Sequence, residues 1–276
     1  MGRPNIVLIV ADTLSAFHLP IHGYDRDTAP FLTDLARENC YAEYAYANGP
    51  WTFPSHASMF SGKLPTDHGT TTQDKPFRDR SFVQDLSEAG YRTFGISNNT
   101  GICDGLGFGK GFEELDVIDF STLLAENGAT ALAGLSDGYE ESFLGSARKY
   151  FDFLGNAFRD GPVRQVRKAL EYRRAKDRPG GAKVNFVNRK PPEITNDWIR
   201  DRLADVADDE EFFLFVNYVE QHHPYLPPDE FVSKFADDPA RMKADHVEKY
   251  KERAAYQWLD VDENLLAEAV DLYDAS

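Results

Sequence analysis

The run Ile6-Val7-Leu8-Ile9-Val10 is an unbroken stretch of β-branched side chains and leucine. A strand with one wet face alternates polar and apolar residues; a run without alternation fits a strand buried on both faces of a parallel sheet. A second run, Phe212-Phe213-Leu214-Phe215-Val216-Asn217-Tyr218-Val219, is rich in aromatic and β-branched residues and reads the same way. In open α/β sheets the ligand crevice lies outside the carboxyl ends of the strands. The first run ends at Ala11-Asp12-Thr13, so Asp12 is placed to face that crevice, where a carboxylate suits a hard metal ion or a general base. An Asp capping the following turn is the alternative at this position. The second run ends in Glu220-Gln221-His222-His223-Pro224-Tyr225, which sets a histidine pair in the same class of position.

Between these runs, Trp51-Thr52-Phe53-Pro54-Ser55-His56-Ala57-Ser58-Met59-Phe60-Ser61-Gly62 reads as a hydroxyl at the mouth of a helix. Pro54 suits the first turn, and Gly62 is a natural stop. Free backbone N–H groups and the helix dipole favour an anion beside Thr52. Thr52 as a simple N-cap is the competing reading.

Further elements follow in order. Pro30 opens a helix with Phe31, Leu32, Leu35 and Ala36 on one face, and Leu64–Gly69 is a turn. Ser81–Ala89 is a helix stopped by Gly90, Arg92–Ser97 a strand, and Gly101–Gly111 a glycine-rich loop without a dinucleotide or P-loop fingerprint. Trp198–Val206 and Asp262–Tyr273 are helices. Between Ser146 and Lys190 stand 13 Lys or Arg against 4 Asp or Glu, a local balance of +9 within a chain of net charge -16. A helical insertion at about 120–190 whose basic face pairs with an acidic body accounts for this better than a membrane-surface helix. The overall acidity argues against nucleic acid or anionic membranes as partners. Cys40 and Cys103 are too few for a disulfide framework. With no signal peptide and no membrane span, the expectation is a soluble cytoplasmic protein.

Taken together, these stretches resemble the sulfatase-like branch of the alkaline phosphatase superfamily. The resemblance is carried by Pro4–Leu14, His22-Gly23-Tyr24, Thr28-Ala29-Pro30, Trp51–Ser58, Ser61-Gly62-Lys63, Pro65–Gly69, Gly90–Thr93, Gly107–Phe112 and Phe212–Phe215 leading to His222-His223-Pro224-Tyr225. It implies a mostly parallel sheet with helices on both faces, a divalent metal (Ca, Mg, Mn or Zn) at the strand ends, and an anionic sulfate or phosphate ester as substrate. Asp12 matches the first metal-ligand aspartate. Thr52 matches the nucleophile, which also touches the metal, and His222 matches a histidine near the leaving group, a role His56 could share. Lys63 and Asn98 fall at substrate-binding positions.

The departures shape the expected chemistry. Threonine cannot be oxidised to the formylglycine of true sulfatases, so phosphate esters are favoured. His56 stands where the sulfatase signature has Arg, Thr13 replaces a second Asp, and the Lys-x-His element that would fall at Asn98–Thr100 is absent. Asp67-His68-Gly69 lies too early to be the family's later metal-binding element. The expectation is therefore that residues 1–276 are the N-terminal part of a catalytic domain, truncated at its C-terminus. The function expected is a metal-dependent ester hydrolase; the alternatives are a phospho-headgroup transferase or an inactive binding module.

Overall fold

The computed structural model describes residues 3–118, 192–222, 225, 227–236, 242 and 263–276. Both apolar runs are strands, and they lie side by side. Four strands are present among these residues: β1 (Ile6–Ala11), β2 (Arg92–Ser97), β3 (Glu114–Val117) and β4 (Phe212–Tyr218). They form one sheet in the order β1-β4-β2-β3, with every pair parallel. The helices are α1 (Pro30–Glu38), α2 (Thr52–Ser61), α3 (Pro65–His68), α4 (Phe82–Glu88), α5 (Pro192–Ala204), α6 (Asp229–Val232) and α7 (Glu263–Asp274). This is the expected α/β class. The stretch Leu64–Gly69, expected as a turn, contains the single helical turn α3.

The chain divides into a unit of Met1–Val117 with Ile199–Ser276, which holds the sheet, and a second unit of Ile118–Trp198. The basic segment at about 120–190 lies outside the described residues. Among the described residues no helix is long and apolar enough to cross a membrane.

One face of the sheet is closed by α2 and α4. Phe53, Ala57 and Phe60 of α2 and Val83 of α4 pack with Phe213 and Phe215 of β4, and Ile6, Leu8 and Val10 of β1 join them. Phe60 meets Phe215 edge-on at 5.1 Å, and Phe77 stacks on Phe108 at 5.1 Å. Each buried aromatic contributes roughly 1.5–3 kcal/mol through burial, with about 0.5–1.5 kcal/mol more per well-placed pair. The glycine-rich loop takes part in this core because Phe108 is fully buried. Gly107 makes that possible: its φ is +90°, and a Cβ there would fall 2.0 Å from the Phe77 carbonyl oxygen.

On the opposite face Phe94, Ile96, Leu214 and Val216 are buried. Here β1 departs from the sequence expectation. In register, Val7 lies beside Leu214 and Ile9 beside Val216, yet Val7 is 52% and Ile9 61% exposed. Among the described residues β1 is an edge strand with one covered face. Apolar composition signalled burial on both faces, but only neighbours decide it. The apolar face of α1 is likewise uncovered, with Phe31, Leu32 and Leu35 exposed.

Helix α7 docks on the segment after β1 through a buried carboxylate. Asp274 accepts hydrogen bonds from Tyr24 Oη at 2.6 Å and Arg26 at 2.9 Å, and pairs with His18 Nδ1 at 2.6 Å. Arg26 also pairs with Asp271 at 2.6 Å. Burial, with the hydrogen bond to Asp274 second, pushes the Tyr24 hydroxyl up to about 12.

Candidate active site

The sheet order sets the carboxyl ends of β1, β4 and β2 next to one another. Asp12 follows β1 directly, and its backbone N–H donates to the Tyr218 carbonyl of β4 at 2.8 Å. Its side chain is buried in the crevice and accepts a hydrogen bond at Oδ2 from the Thr52 hydroxyl, 2.8 Å away. Two residues separated by 40 positions in sequence are thus joined at the strand ends.

Thr52 is the first residue of α2, with Trp51 as N-cap and no side chain capping this end. The Thr52 hydroxyl therefore turns to Asp12 and leaves the first-turn amides of α2 without a side-chain cap. Such amides, with the helix dipole, form an anion site.

A third residue completes the cluster, and sequence reasoning missed it. Asn99 Nδ2 donates to Asp12 Oδ2 at 3.1 Å and to Thr52 Oγ1 at 3.3 Å. Its orientation is fixed from behind. Asn99 Oδ1 accepts from the Gly101 N–H at 2.9 Å, which commits the NH2 end to the crevice. The Ser97 hydroxyl accepts from the Asn99 backbone N–H at 3.0 Å and from Asn217 Nδ2 at 3.2 Å. The signal that could have found Asn99 is Asn-x-Gly at a strand's carboxyl end, the pattern of an Asx turn.

The other expected site residues sit elsewhere. Asn98, taken as substrate-binding, is buried, and its backbone N–H donates to the Asn217 carbonyl at 2.9 Å. The reach into the crevice belongs to its neighbour. Lys63 lies past the opposite end of α2, roughly 15 Å along the axis from Thr52 at 1.5 Å per residue. Its ammonium pairs with Asp79 at 3.0 Å. A helix holds its two ends apart, so Lys63 does not share the Thr52 site.

His56 is one turn into α2 and only 2% exposed. Its Nδ1 donates to the Thr52 carbonyl at 2.8 Å, and Nε2 is buried without a hydrogen-bond partner beside Phe60 and Phe215. Burial lowers its pKa, opposed by the bond to Thr52 and by the charge of Asp12. Buried against Phe60 and Phe215 and bonded to the Thr52 carbonyl, the ring supports the helix start rather than facing the crevice. His222 is exposed in the turn after β4, its backbone N–H bonded to Val219 at 3.0 Å. His223 lies outside the described residues. His68 accepts at Nδ1 from the Thr70 N–H at 3.0 Å, so its Nε2–H points to Ser58 Oγ at 3.0 Å. That tautomer cannot take a proton from Ser58.

Thr13 is the one non-glycine residue with positive φ among those described, at +68°. A β-branched residue held there costs roughly 1–2 kcal/mol. Strain of this kind, directly after Asp12, is characteristic of functional sites.

Comparison with known proteins establishes the family and the fold. A sequence model of the family described as sulfatase matches residues 4–275. The chain belongs to the sulfatase family. An arylsulfatase of Clostridium perfringens is 23% identical over 255 residues, spanning 91% of this chain and 50% of that protein. This sulfatase-family chain thus spans about half the length of that relative. Among solved structures, the phosphonate monoester hydrolase of Agrobacterium radiobacter has a TM-score of 0.58 at 16% identity, over 99% of this chain and 56% of that one. The soluble domain of lipooligosaccharide phosphoethanolamine transferase A of Neisseria meningitidis has a TM-score of 0.55 at 16% identity, over 99% and 57%. At such identities the two structures establish the fold alone.

Sulfatase-like proteins use divalent metals. The donor set of this sulfatase-family chain fits such an ion only in part. Asp12 Oδ1 accepts no hydrogen bond among the described residues, and the Thr52 hydroxyl lies next to it. Yet among the described residues no three His, Cys, Asp or Glu side chains converge. One carboxylate with a hydroxyl is too little charge and too few ligands for a tight divalent site, and Asn99 presents its NH2 rather than its oxygen to them.

Proposed function

We propose that Thr52 is the nucleophile of an ester hydrolase acting on small anionic esters, phosphate esters in preference to sulfate. The observation that carries the reading is the 2.8 Å hydrogen bond from Thr52 Oγ1 to Asp12 Oδ2 at an uncapped helix N-terminus. It supplies a nucleophile, a group to take its proton, and a cradle for the anion. The Thr52 oxygen bonds to phosphorus as the bond from phosphorus to the alcohol oxygen breaks, and the Thr52 proton passes to Asp12. Asn99 Nδ2 donates to the attacking oxygen as charge develops there. In this reading His222, in the turn after β4, protonates the departing alcohol. Water then cleaves the phosphothreonine, releasing phosphate and restoring the hydroxyl. The absence of an oxidisable Cys or Ser at position 52 is what favours phosphate. Asp12 and Thr52 are also the chain's contact positions for a divalent cation, and the proton path above does not run through it.

The test is turnover of an aryl phosphate and an aryl sulfate with Mn2+ in excess. Thr52→Ala should lose at least about a thousandfold in kcat/KM, and Thr52→Ser should keep measurable activity. Turnover by Thr52→Ala within tenfold of the parent, about 1.4 kcal/mol, would sink the assignment.

The fold shared with a phosphoethanolamine transferase domain supports a second reading, in which a sugar hydroxyl replaces water in the last step. An added acceptor alcohol separates the two: transfer requires that most of the phosphoryl group appear on the alcohol.

A further inference from the structure

We infer that Tyr273, on the C-terminal helix, is a positioning residue for the Asp12–Thr52 pair; the inference rests on the reading of Thr52 as nucleophile. The Tyr273 hydroxyl is inserted between two backbone groups of the turn that follows β1. It accepts from the Ser15 N–H at 2.7 Å and donates to the Thr13 carbonyl at 2.8 Å. Both of its hydrogen-bonding functions are therefore spent on the residues just beyond Asp12.

What they hold is the least stable backbone conformation near the site. Thr13 sits at a φ of +68°, a region β-branched residues avoid, and such a conformation persists only where its surroundings over-determine it. The remaining restraints on this turn are few. Leu14 N–H donates to the Ala11 carbonyl at 3.2 Å, and the Thr13 hydroxyl donates to the Asp12 carbonyl. The first anchors the turn to its own strand and the second is purely local. Among the described residues, Asp12 itself is tied to β4, α2 and Asn99, but beyond Asp12 the tyrosine is what ties the turn to a separate element of the fold. That element is itself immobilised, because the adjacent Asp274 is buried against His18, Tyr24 and Arg26. The Tyr273 ring also packs edge-on against His18 at 4.7 Å and against Tyr225 at 5.3 Å. Burial keeps its hydroxyl protonated by raising its pKa, so it remains a donor.

The chain of causes runs from α7 to the chemistry. Tyr273 fixes Thr13; Thr13 fixes the Asp12 backbone; the Asp12 carboxylate then meets both Thr52 and Asn99. Released, Thr13 relaxes to an ordinary φ and turns the Asp12 carboxylate off the Thr52 hydroxyl. Substrate contacts made by α2 are untouched by that rotation, so the loss falls on kcat.

The variant to make is Tyr273→Phe, which keeps the ring contacts and removes the hydroxyl. Its melting temperature should stay within a few degrees of the parent. Exchange of the Ser15 amide with solvent should accelerate at least about tenfold, as a lost protecting bond requires. The side-chain amide resonance of Asn99 should shift, because its acceptor at Asp12 has moved. For aryl phosphate, kcat should fall about tenfold with KM within twofold. Thr13→Gly in the Tyr273→Phe background is the diagnostic step, since glycine holds positive φ without restraint. It should return the Asn99 resonance and kcat to near the parent while Ser15 exchange stays fast. A purely structural tyrosine would not be rescued at position 13. The inference is overturned if Tyr273→Phe leaves the Asn99 resonance in place, or if Thr13→Gly rescues neither signal. Turnover that survives Thr52→Ala instead removes the nucleophile reading, and the resonance and exchange measurements then decide the role of Tyr273 alone.

Discussion

Burial holds the His56 imidazole below its ordinary value of 6.5, and neither the Thr52 carbonyl nor the Asp12 charge recovers the difference. The linkage follows directly. Near pH 6.5 the unfolded chain takes up a proton that the folded chain refuses, so the unfolded state binds more protons and stability falls as pH falls. The stabilising contribution is complete above the unfolded value and is lost as pH drops through the folded one. His56→Phe fits an aromatic surround of Phe60 and Phe215 and removes the titrating group. Urea denaturation between pH 7 and pH 5 should show the parent losing more stability than the variant. Parallel curves would mean that His56 is not titrating as a buried neutral ring. At this scale the sequence singled out Asp12 and Thr52, which the structure joins by a hydrogen bond, and Asn98, whose neighbour Asn99 is the one bonded to them. Asp12 and Thr52 are marked by local signals, a strand end and a helix start. Asn98 and Asn99 carry the same side chain at adjacent positions, and only the Ser97-braced turn decides which one reaches Thr52.

The placement of α2 as an element depends on a close approach to its first turn. A Cβ on Gly49 would lie 2.7 Å from the Ser55 backbone nitrogen and 2.9 Å from Pro54 Cγ. These are backbone and ring atoms that cannot swing aside. Gly49→Ala should therefore shift the start of α2, costing about 1–3 kcal/mol in denaturation as overpacking does. Because Thr52 opens that helix, turnover should fall by more than the loss of folded protein explains. Unchanged kcat in the folded fraction would show that the approach matters to stability only. Element boundaries were legible where backbone chemistry sets them. Pro30 opens α1, Gly62 closes α2 with a φ of +69°, and Gly90 follows α4 with a φ of +88°. Exposure was not legible: Val7 and Ile9 carry the same apolar signal as Leu8, yet lie on the face of β1 that no described element covers.

For the whole molecule, the sheet assembles a hydroxyl, a carboxylate and an amide from three separate segments, but only the carboxylate carries charge. A net charge of -16 complicates any metal measurement, because surface carboxylates gather divalent ions without forming a site. The informative quantity is the part of Mn2+ binding that disappears in Asp12→Asn at about 0.15 M salt, where long-range attraction is largely screened. With one carboxylate and a hydroxyl as ligands, that part should be no tighter than about 1 mM, near -4 kcal/mol. Calorimetry of the parent against Asp12→Asn checks it. Asp12-dependent binding in the micromolar range, about -8 kcal/mol, would require further ligands beyond Asp12 and Thr52. The same comparison bears on the chemistry. If the Asp12-dependent site is weak while Thr52 still turns over an aryl phosphate, the 2.8 Å contact between Thr52 and Asp12 is carrying the proton. If turnover instead rises with Mn2+ along the Asp12-dependent binding curve, the ion is activating the hydroxyl, and Asp12 serves chiefly to hold it.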